Sequence, residues 1–171
     1  MSKATIISIM GLAGAGKTTT SKTLAKELKA MGEQVILIDG DEFRGVFNMN
    51  KYDKASRINF MIPRMRLCIA LAKQDFIVIN AVIGLFKQSY EITQQLVNEA
   101  NIKHLQCYIK CPMSELERRD QKELYSKAKA GKMQDVVGID IAYDEPNADI
   151  ICDGTACVDE NVKKIIKTLK L

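Results

Sequence analysis

The sequence predicts an α/β fold built on a doubly wound parallel sheet of about five strands, with helices on both faces. Short, β-branched and almost wholly apolar stretches, typical of central parallel strands, alternate along the chain with longer helical segments. The first apolar stretch runs directly into a glycine-rich loop and then into a helix. With 171 residues, 47% of them hydrophobic, the chain is expected to form a single domain over residues 1–171.

The predicted elements follow in a strand–helix alternation. The predicted strands are residues 4–10, 34–38, 76–83, 104–109 and 149–152. Helices are predicted over residues 17–31, 55–74, 88–100 and 114–130, and Pro63 is expected to break or kink the second of them. A last helix is predicted from its apolar positions at helical spacing, which are Val162, Ile165, Ile166 and Leu169.

Composition and charge exclude several classes of protein. The net charge of +4 permits an anionic substrate but does not require nucleic acid. No apolar run approaches the ~20 residues that a membrane-spanning helix needs. Five cysteines, an odd number, without an export signal predict reduced thiols. We therefore expect a cytoplasmic protein that binds neither nucleic acid nor membrane, and a homodimer is compatible with the sequence.

A phosphate-binding loop lies between the first predicted strand and helix. Its glycines allow backbone N–H groups to point inward at phosphate oxygens, Lys17 is expected to reach the outer phosphates, and the Thr18 hydroxyl to bind Mg²⁺. A simple strand-to-helix turn is the alternative, but it would not need the Lys-Thr pair. The loop predicts a P-loop NTPase-type kinase with ATP and Mg²⁺ as cofactors. The residues predicted to bind ATP here are Gly11, Leu12, Ala13, Gly14, Ala15, Gly16, Lys17, Thr18 and Thr19.

Two carboxylates and two arginines are candidates for the acceptor side. Asp39 and Asp41 end the second predicted strand, where a carboxylate can hold Mg²⁺ with Thr18 or accept the proton of an attacking hydroxyl. We expect Asp41 to do both and Asp39 to share the catalytic role; the alternative for Asp41 is a helix N-cap. Arg44 and Arg57 are expected to bind an anionic acceptor, unless they are solvated surface residues.

A longer pattern resembles the adenylyl-sulfate kinase family nearly end to end. It comprises the phosphate loop, Asp39-Gly40-Asp41-x-x-Arg44, Arg119-Asp120-x-Lys122-x-Leu124-Tyr125 and Gly138-Ile139-Asp140-x-x-Tyr143-x-x-Pro146. The resemblance implies a kinase that uses ATP to phosphorylate the ribose 3′-hydroxyl of adenylyl sulfate. It also implies a lid at about residues 118–146 that closes over ATP and acceptor. Within the lid, Arg119 and Lys122 would bring positive charge to the transferring phosphate; the alternative for both is a solvated helix face.

Departures from the family pattern fall on the acceptor side. The family holds the adenine between two aromatic rings; Tyr52 takes one place, but Val136, before Val137-Gly138, takes the other. Phe60 and Ile62 stand where the family has Asn and Arg, and Gly84 where it has a phosphorylatable serine. Tyr52 and residues 136–138 remain the expected acceptor-binding residues.

The altered acceptor side implies the same reaction on a different nucleotide. Relatives in bacterial capsule pathways phosphorylate cytidine diphosphoramidate, whose smaller base would suit a pocket with one ring missing. One alternative is a true adenylyl-sulfate kinase that makes 3′-phosphoadenylyl sulfate. The other is a nucleotide-dependent switch or an inactive binding module.

Overall fold

Five parallel strands form one sheet in the order β2-β3-β1-β4-β5. The computed structural model describes residues 4–169, so the two ends of the predicted domain, residues 1–3 and 170–171, lie outside the described residues. The sheet confirms the predicted fold class, and each strand lies within two residues of its predicted bounds. The strands are β1 (Thr5–Met10), β2 (Val35–Asp39), β3 (Ile77–Val82), β4 (Lys103–Lys110) and β5 (Ile150–Asp153).

The central strand β1 is buried along its whole length because helices cover both faces of the sheet. Its neighbouring residues Ile6 and Ile7 point to opposite faces, as successive residues in a strand must. Ile6 belongs to one hydrophobic cluster, with the apolar side of α3, and Ile7 to the other, with α1 and α7. An apolar run on both faces is therefore what this position in the sheet requires.

Seven α-helices connect and cover the strands in the described part of the chain. No helix within residues 4–169 combines the length and apolar character needed to cross a bilayer. The helices are α1 (Lys17–Ala30), α2 (Gly40–Val46), α3 (Lys54–Ala72), α4 (Lys87–Ala100), α5 (Met113–Arg119), α6 (Leu124–Lys129) and α7 (Val158–Leu169).

Pro63 does not break α3, which is assigned as one helix on either side of it. A proline inside a helix leaves the carbonyl four residues earlier without its hydrogen bond. Here that carbonyl belongs to Asn59, and both Asn59 and Pro63 are exposed. Water can therefore bond the carbonyl, and the helix continues.

The helix predicted over residues 114–130 is wrong as a single element. It is interrupted at Asp120, Lys122 and Glu123, whose φ angles are 33°, 60° and 54°. A short 3₁₀ turn fills the gap between α5 and α6. The Asp120 carboxylate accepts hydrogen bonds from the backbone N–H groups of Tyr125 and the next residue, so it stabilises the start of α6.

Candidate functional site

A cleft of about 250 Å³ opens at the carboxyl ends of β1, β2 and β3. Ligands of open parallel sheets bind at this edge, because the loops after the strands meet there. The cleft is bounded by the phosphate loop, α2, α3 and the turn between α5 and α6. The predicted site residues that line it are Ala13, Gly14, Lys17, Thr18, Asp39, Asp41, Arg44, Tyr52, Arg57 and Lys122.

The phosphate loop holds its lysine close to the loop backbone. Lys17 Nζ donates a hydrogen bond to the Leu12 carbonyl oxygen at 2.8 Å. Burial lowers the pKa of Lys17 to about 8, although the carboxylates of Asp41 and Asp39 act in the opposite direction. Gly11 has to be a glycine, because a Cβ there would lie 2.9 Å from the Ile109 carbonyl oxygen.

Two of the loop residues predicted to bind ATP turn their side chains into the core. Leu12 is 4% exposed and Ala15 2% exposed, and both belong to the hydrophobic cluster on the α1 side of the sheet. Only their backbone groups are therefore available to a phosphate. The loop ends at Gly16, whose φ of 101° at the start of α1 is favourable for glycine.

Asp39 is the carboxylate that meets the phosphate loop. Its Oδ2 accepts a hydrogen bond from the Thr18 hydroxyl at 2.9 Å, and its Oδ1 accepts one from the Asp41 backbone N–H at 3.0 Å. Asp39 is thus the N-cap of α2, a helix missing from the prediction, and the alternative that Asp41 is the cap is wrong.

A hydroxyl beside a carboxylate fits Mg²⁺, which prefers hard oxygen ligands. Thr18 and Asp39 supply this pair, so Asp39 is a metal candidate that the predicted set of Thr18 and Asp41 omitted. Mg²⁺ sites in kinases often use one or two carboxylates and complete the shell with phosphates and water. Residues 4–169 contain no group of three or more His, Cys, Asp or Glu arranged for a metal. The assignment of Asp41 to Mg²⁺ stays a prediction.

Asp41 and Lys122 face each other across the cleft. Asp41 Oδ2 lies 3.4 Å from Lys122 Nζ, and the two side chains are 78% and 77% exposed. Lys122 sits on the exposed 3₁₀ turn between α5 and α6, so its predicted role beside the transferring phosphate stays a prediction. The pair places a carboxylate that can accept a proton next to a cation that can neutralise charge on a phosphate.

The Arg119 side chain contacts the main chain of the phosphate loop. Its guanidinium donates to the Gly14 carbonyl at 3.0 Å, to the Gly154 carbonyl at 2.8 Å and to a Glu115 carboxylate oxygen at 2.8 Å. The side chain does not line the cleft. Its predicted contact with ATP stays a prediction.

Tyr125 contacts the phosphate loop although no role was predicted for it. Its hydroxyl donates to the Ala13 carbonyl at 2.7 Å, and its ring is buried, with 1% of the residue exposed. Burial raises the pKa of the Tyr125 hydroxyl, so it remains a donor at neutral pH. A large aromatic residue in an otherwise charged segment was the available signal.

The half of the cleft predicted to bind the acceptor is built around the ring of Tyr52, which is 45% exposed. The Arg44 guanidinium carbon lies 4.7 Å from the centroid of this ring and 5.4 Å from that of Phe60. Arg57 lies 5.4 Å from the Tyr52 centroid, donates to the Tyr52 carbonyl and donates to the Asp135 carbonyl at 2.9 Å. Burial, and then the charge of Arg44, lower the pKa of Arg57.

Residues 136–138 do not line the cleft in this structure. Val136 and Val137 are each 3% exposed and belong to the hydrophobic core. Gly138 has a φ of 96°, and a Cβ there would lie 2.8 Å from Met113 Cε. These positions therefore have clear packing roles, and their role in acceptor binding stays a prediction.

Several residues that line the cleft were missing from the predicted site. Arg64 is the most unusual of them, because it is charged yet 1% exposed. Its signal in the sequence was an arginine on the otherwise apolar face of α3 that carries Met61, Met65 and Cys68. The other missed residues are Gly40, Phe60, Met61, Ala81, Val82, Ile83, Gly84, Phe86, Ser89, Gln121 and Leu124.

Comparison with known proteins yields relatives that match most of the chain. The family model described as Adenylylsulphate kinase matches residues 3–153. The cytidine diphosphoramidate kinase of Campylobacter jejuni is 36% identical over 168 residues, covering 97% of this chain and 96% of that protein. An adenylyl-sulfate kinase of Bacillus velezensis is 34% identical over 160 residues, covering 91% of this chain and 79% of that protein.

Solved structures agree with the sequence relatives. The Mycobacterium tuberculosis APS kinase in complex with AMPPNP and APS has a TM-score of 0.93 and 25% identity, and the match covers 98% of each chain. Shikimate kinase from Aquifex aeolicus, at a TM-score of 0.57 and 15% identity, shows the fold alone. The predicted enzyme class, a phosphotransferase acting on a hydroxyl group, is confirmed, and so are ATP and Mg²⁺. The chain belongs to the adenylyl-sulfate kinase family.

Proposed function

We propose that the chain transfers the γ-phosphoryl group of ATP to the ribose 3′-hydroxyl of cytidine diphosphoramidate. The observation that carries this choice of acceptor is the base site, where Tyr52 is the one exposed ring among the aromatic residues that line the cleft. The position at which the resemblance calls for a second ring holds Val136, whose side chain is packed in the core. Stacking on an aromatic ring contributes ~1–3 kcal/mol per base, so an adenine that expects two rings loses part of its binding energy here. A smaller pyrimidine base needs less stacking area, and a single ring suits it better.

Each half of the cleft has a defined chemical role in this proposal. The phosphate loop and Lys17 bind the phosphates of ATP, and Thr18 with Asp39 would hold Mg²⁺, which neutralises phosphate charge when bound. Asp41 accepts the proton of the 3′-hydroxyl, since it is an exposed carboxylate directed into the cleft. Lys122 supplies positive charge beside it.

Adenylyl sulfate is the second candidate acceptor. The adenylyl-sulfate kinase of Bacillus licheniformis is as similar in sequence, 36% over 148 residues, as the cytidine diphosphoramidate kinase is over 168 residues. The longer match favours the cytidine acceptor. It covers 96% of the cytidine diphosphoramidate kinase, whereas the other match covers 73% of the Bacillus licheniformis adenylyl-sulfate kinase. A switch or an inactive binding module is a third reading, and sustained turnover would exclude it.

The test compares the two acceptors in separate assays at saturating MgATP. ADP release gives kcat/KM for each acceptor, and mass spectrometry identifies the phosphorylated product. We expect cytidine diphosphoramidate to have the higher kcat/KM, with Lys17→Ala as the control for contaminating kinases. A higher kcat/KM with adenylyl sulfate would assign the chain to the plain family reaction. An absence of turnover with both acceptors would remove the proposed function.

A further inference from the structure

Arg64 lies at the floor of the acceptor half of the cleft, where α3 meets the ends of β2 and β3. Its Nε donates to Asn80 Oδ1, and its Nη2 donates to the carbonyls of Ile38 at 2.9 Å and Ala81 at 2.8 Å. These bonds occupy three of the five N–H donors of the guanidinium. The side chain is therefore fixed in position, with one nitrogen left over.

The remaining nitrogen, Arg64 Nη1, has no hydrogen-bond partner among residues 4–169. Arg64 forms no ion pair with a carboxylate of residues 4–169; the charge of Asp39 favours its cationic form without direct contact, and the centroid of the Phe43 ring lies 5.1 Å from its guanidinium carbon. A Cβ at position 40 would lie 4.0 Å from Nη1. Because residue 40 is a glycine, no side chain covers this side of the guanidinium. Arg64 thus presents an unpaired edge to the cleft that it lines.

The two arginines expected to bind the acceptor also make contacts within the chain, and both keep donors for an anion beside Arg64. Arg44 is stacked on Tyr52 and donates to the Lys51 carbonyl at 2.9 Å. Arg57 donates to the carbonyls of Tyr52 and Asp135. Arg64 is the buried cation of the cleft, and burial lowers its pKa only to about 10, so it stays charged at neutral pH.

A buried charge without a counter-ion is strongly unfavourable unless something else supplies the opposite charge. Ser89 lines the same cleft, and its buried Oγ also lacks a hydrogen-bond partner among the described residues. An anion in the cleft would supply the charge that Arg64 Nη1 lacks.

We infer that Arg64 binds an anionic oxygen of the acceptor's 5′ tail, and that it selects nucleotides with a diphosphate-like tail over neutral nucleosides. The inference rests on the proposed nucleotide acceptor and adds a specificity-determining residue to it. A purely structural arginine, which only joins the ends of β2 and β3, is the competing account. The two accounts differ in whether removal of the guanidinium changes affinity in proportion to the charge of the ligand.

The experiment is isothermal titration calorimetry of the full chain with cytidine, CMP and CDP, with the ATP site saturated by a non-hydrolysable ATP analogue. The variants are Arg64→Gln and Arg64→Lys, and the matched control is Arg66→Gln, on the exposed side of the same helix. We expect Arg64→Gln to reduce the preference for CDP over cytidine at least ~10-fold, since hydrogen bonds to charged groups are among the strongest. Arg64→Lys should retain part of the preference, because it keeps the charge but not the planar fork.

Affinity for the ATP analogue should be the same in all four proteins. An unchanged preference for CDP in Arg64→Gln would overturn the inference. If that variant does not fold, an unchanged preference in Arg64→Lys, or equal binding of cytidine and CDP by the natural chain, would overturn it as well. These results are distinct from a failure of the proposed function, which would appear as an absence of acceptor turnover in the natural chain.

Discussion

Asp41→Asn separates a catalytic role of this carboxylate from a structural one. The substitution keeps the size of the side chain and removes its charge and basicity. The substitution leaves the start of α2 intact, because Asp39 is the N-cap. The carboxylate of Asp39 accepts a hydrogen bond from the Asp41 backbone N–H, which an asparagine also has. The single side-chain contact that changes in the described structure is the 3.4 Å pair with Lys122.

The structure sets the scale of both expected effects. Asp41 and Lys122 are more than three-quarters exposed, and exposed ion pairs contribute ~0.2–1 kcal/mol to folding. The free energy of unfolding should therefore fall by no more than ~1 kcal/mol. Loss of a general base costs at least ~10²-fold in rate, which corresponds to ~2.7 kcal/mol of transition-state stabilisation. The catalytic effect should exceed the stability effect several-fold.

The assay combines steady-state kinetics with urea denaturation. We expect kcat to fall at least ~10²-fold, with the Kd for MgATP and the urea midpoint close to those of the natural chain. Lys122→Met breaks the same pair from the other side and is the matched control for the effect of losing the pair on the urea midpoint. A kcat within about twofold of the natural value in Asp41→Asn, with acceptor saturating, would refute a base role.

Three further predictions concern the loop, the histidine and the tyrosine. Lys17→Ala should abolish turnover without lowering the melting temperature in a thermal scan, since the half-buried ammonium has a pKa lowered by burial and does not favour folding. His104, the single histidine, has a folded pKa of about 4 against an ordinary 6.5, because burial disfavours its charged form. The unfolded chain thus binds the proton first, so stability is lost as pH falls from 6.5 toward 4; His104→Gln should flatten this part of a pH series of urea midpoints. Tyr125→Phe should cost ~0.5–1.5 kcal/mol of stability and raise KM for ATP more than it lowers kcat, and an unchanged KM would contradict the contact with the loop.

The sheet was predictable because its strands are buried on both faces. In β1 every residue is buried, so the sequence there is an apolar run that has few other interpretations. The phosphate loop was predictable for a related reason, since its spacing coincides with a strand on one side and a helix on the other. Both features depend on neighbouring residues, and a single sequence contains that information.

The features that escaped prediction depend on backbone angles and distant contacts. Positive φ angles at Asp120, Lys122 and Glu123 break a segment whose side chains favour a helix. The short helix α2 starts on a carboxylate, Asp39, that also contacts the phosphate loop 21 positions earlier. Arg64 could not be placed from its neighbours, because its bonds go to β2 and β3, 26 and 17 positions away.

The contacts from α5 and α6 to the phosphate loop have a consequence for how this loop can vary. Arg119 and Tyr125 both bond to carbonyl oxygens of the main chain, at Gly14 and Ala13. A carbonyl is present whatever side chain the residue bears, so the attachment does not depend on the identity of residue 13. Gly14 has less freedom, because its φ of 78° is unfavourable for other residues. Position 13 of the loop can therefore vary among related enzymes and change the shape of the nucleotide site. The hydrogen bonds from α5 and α6 to the loop would remain.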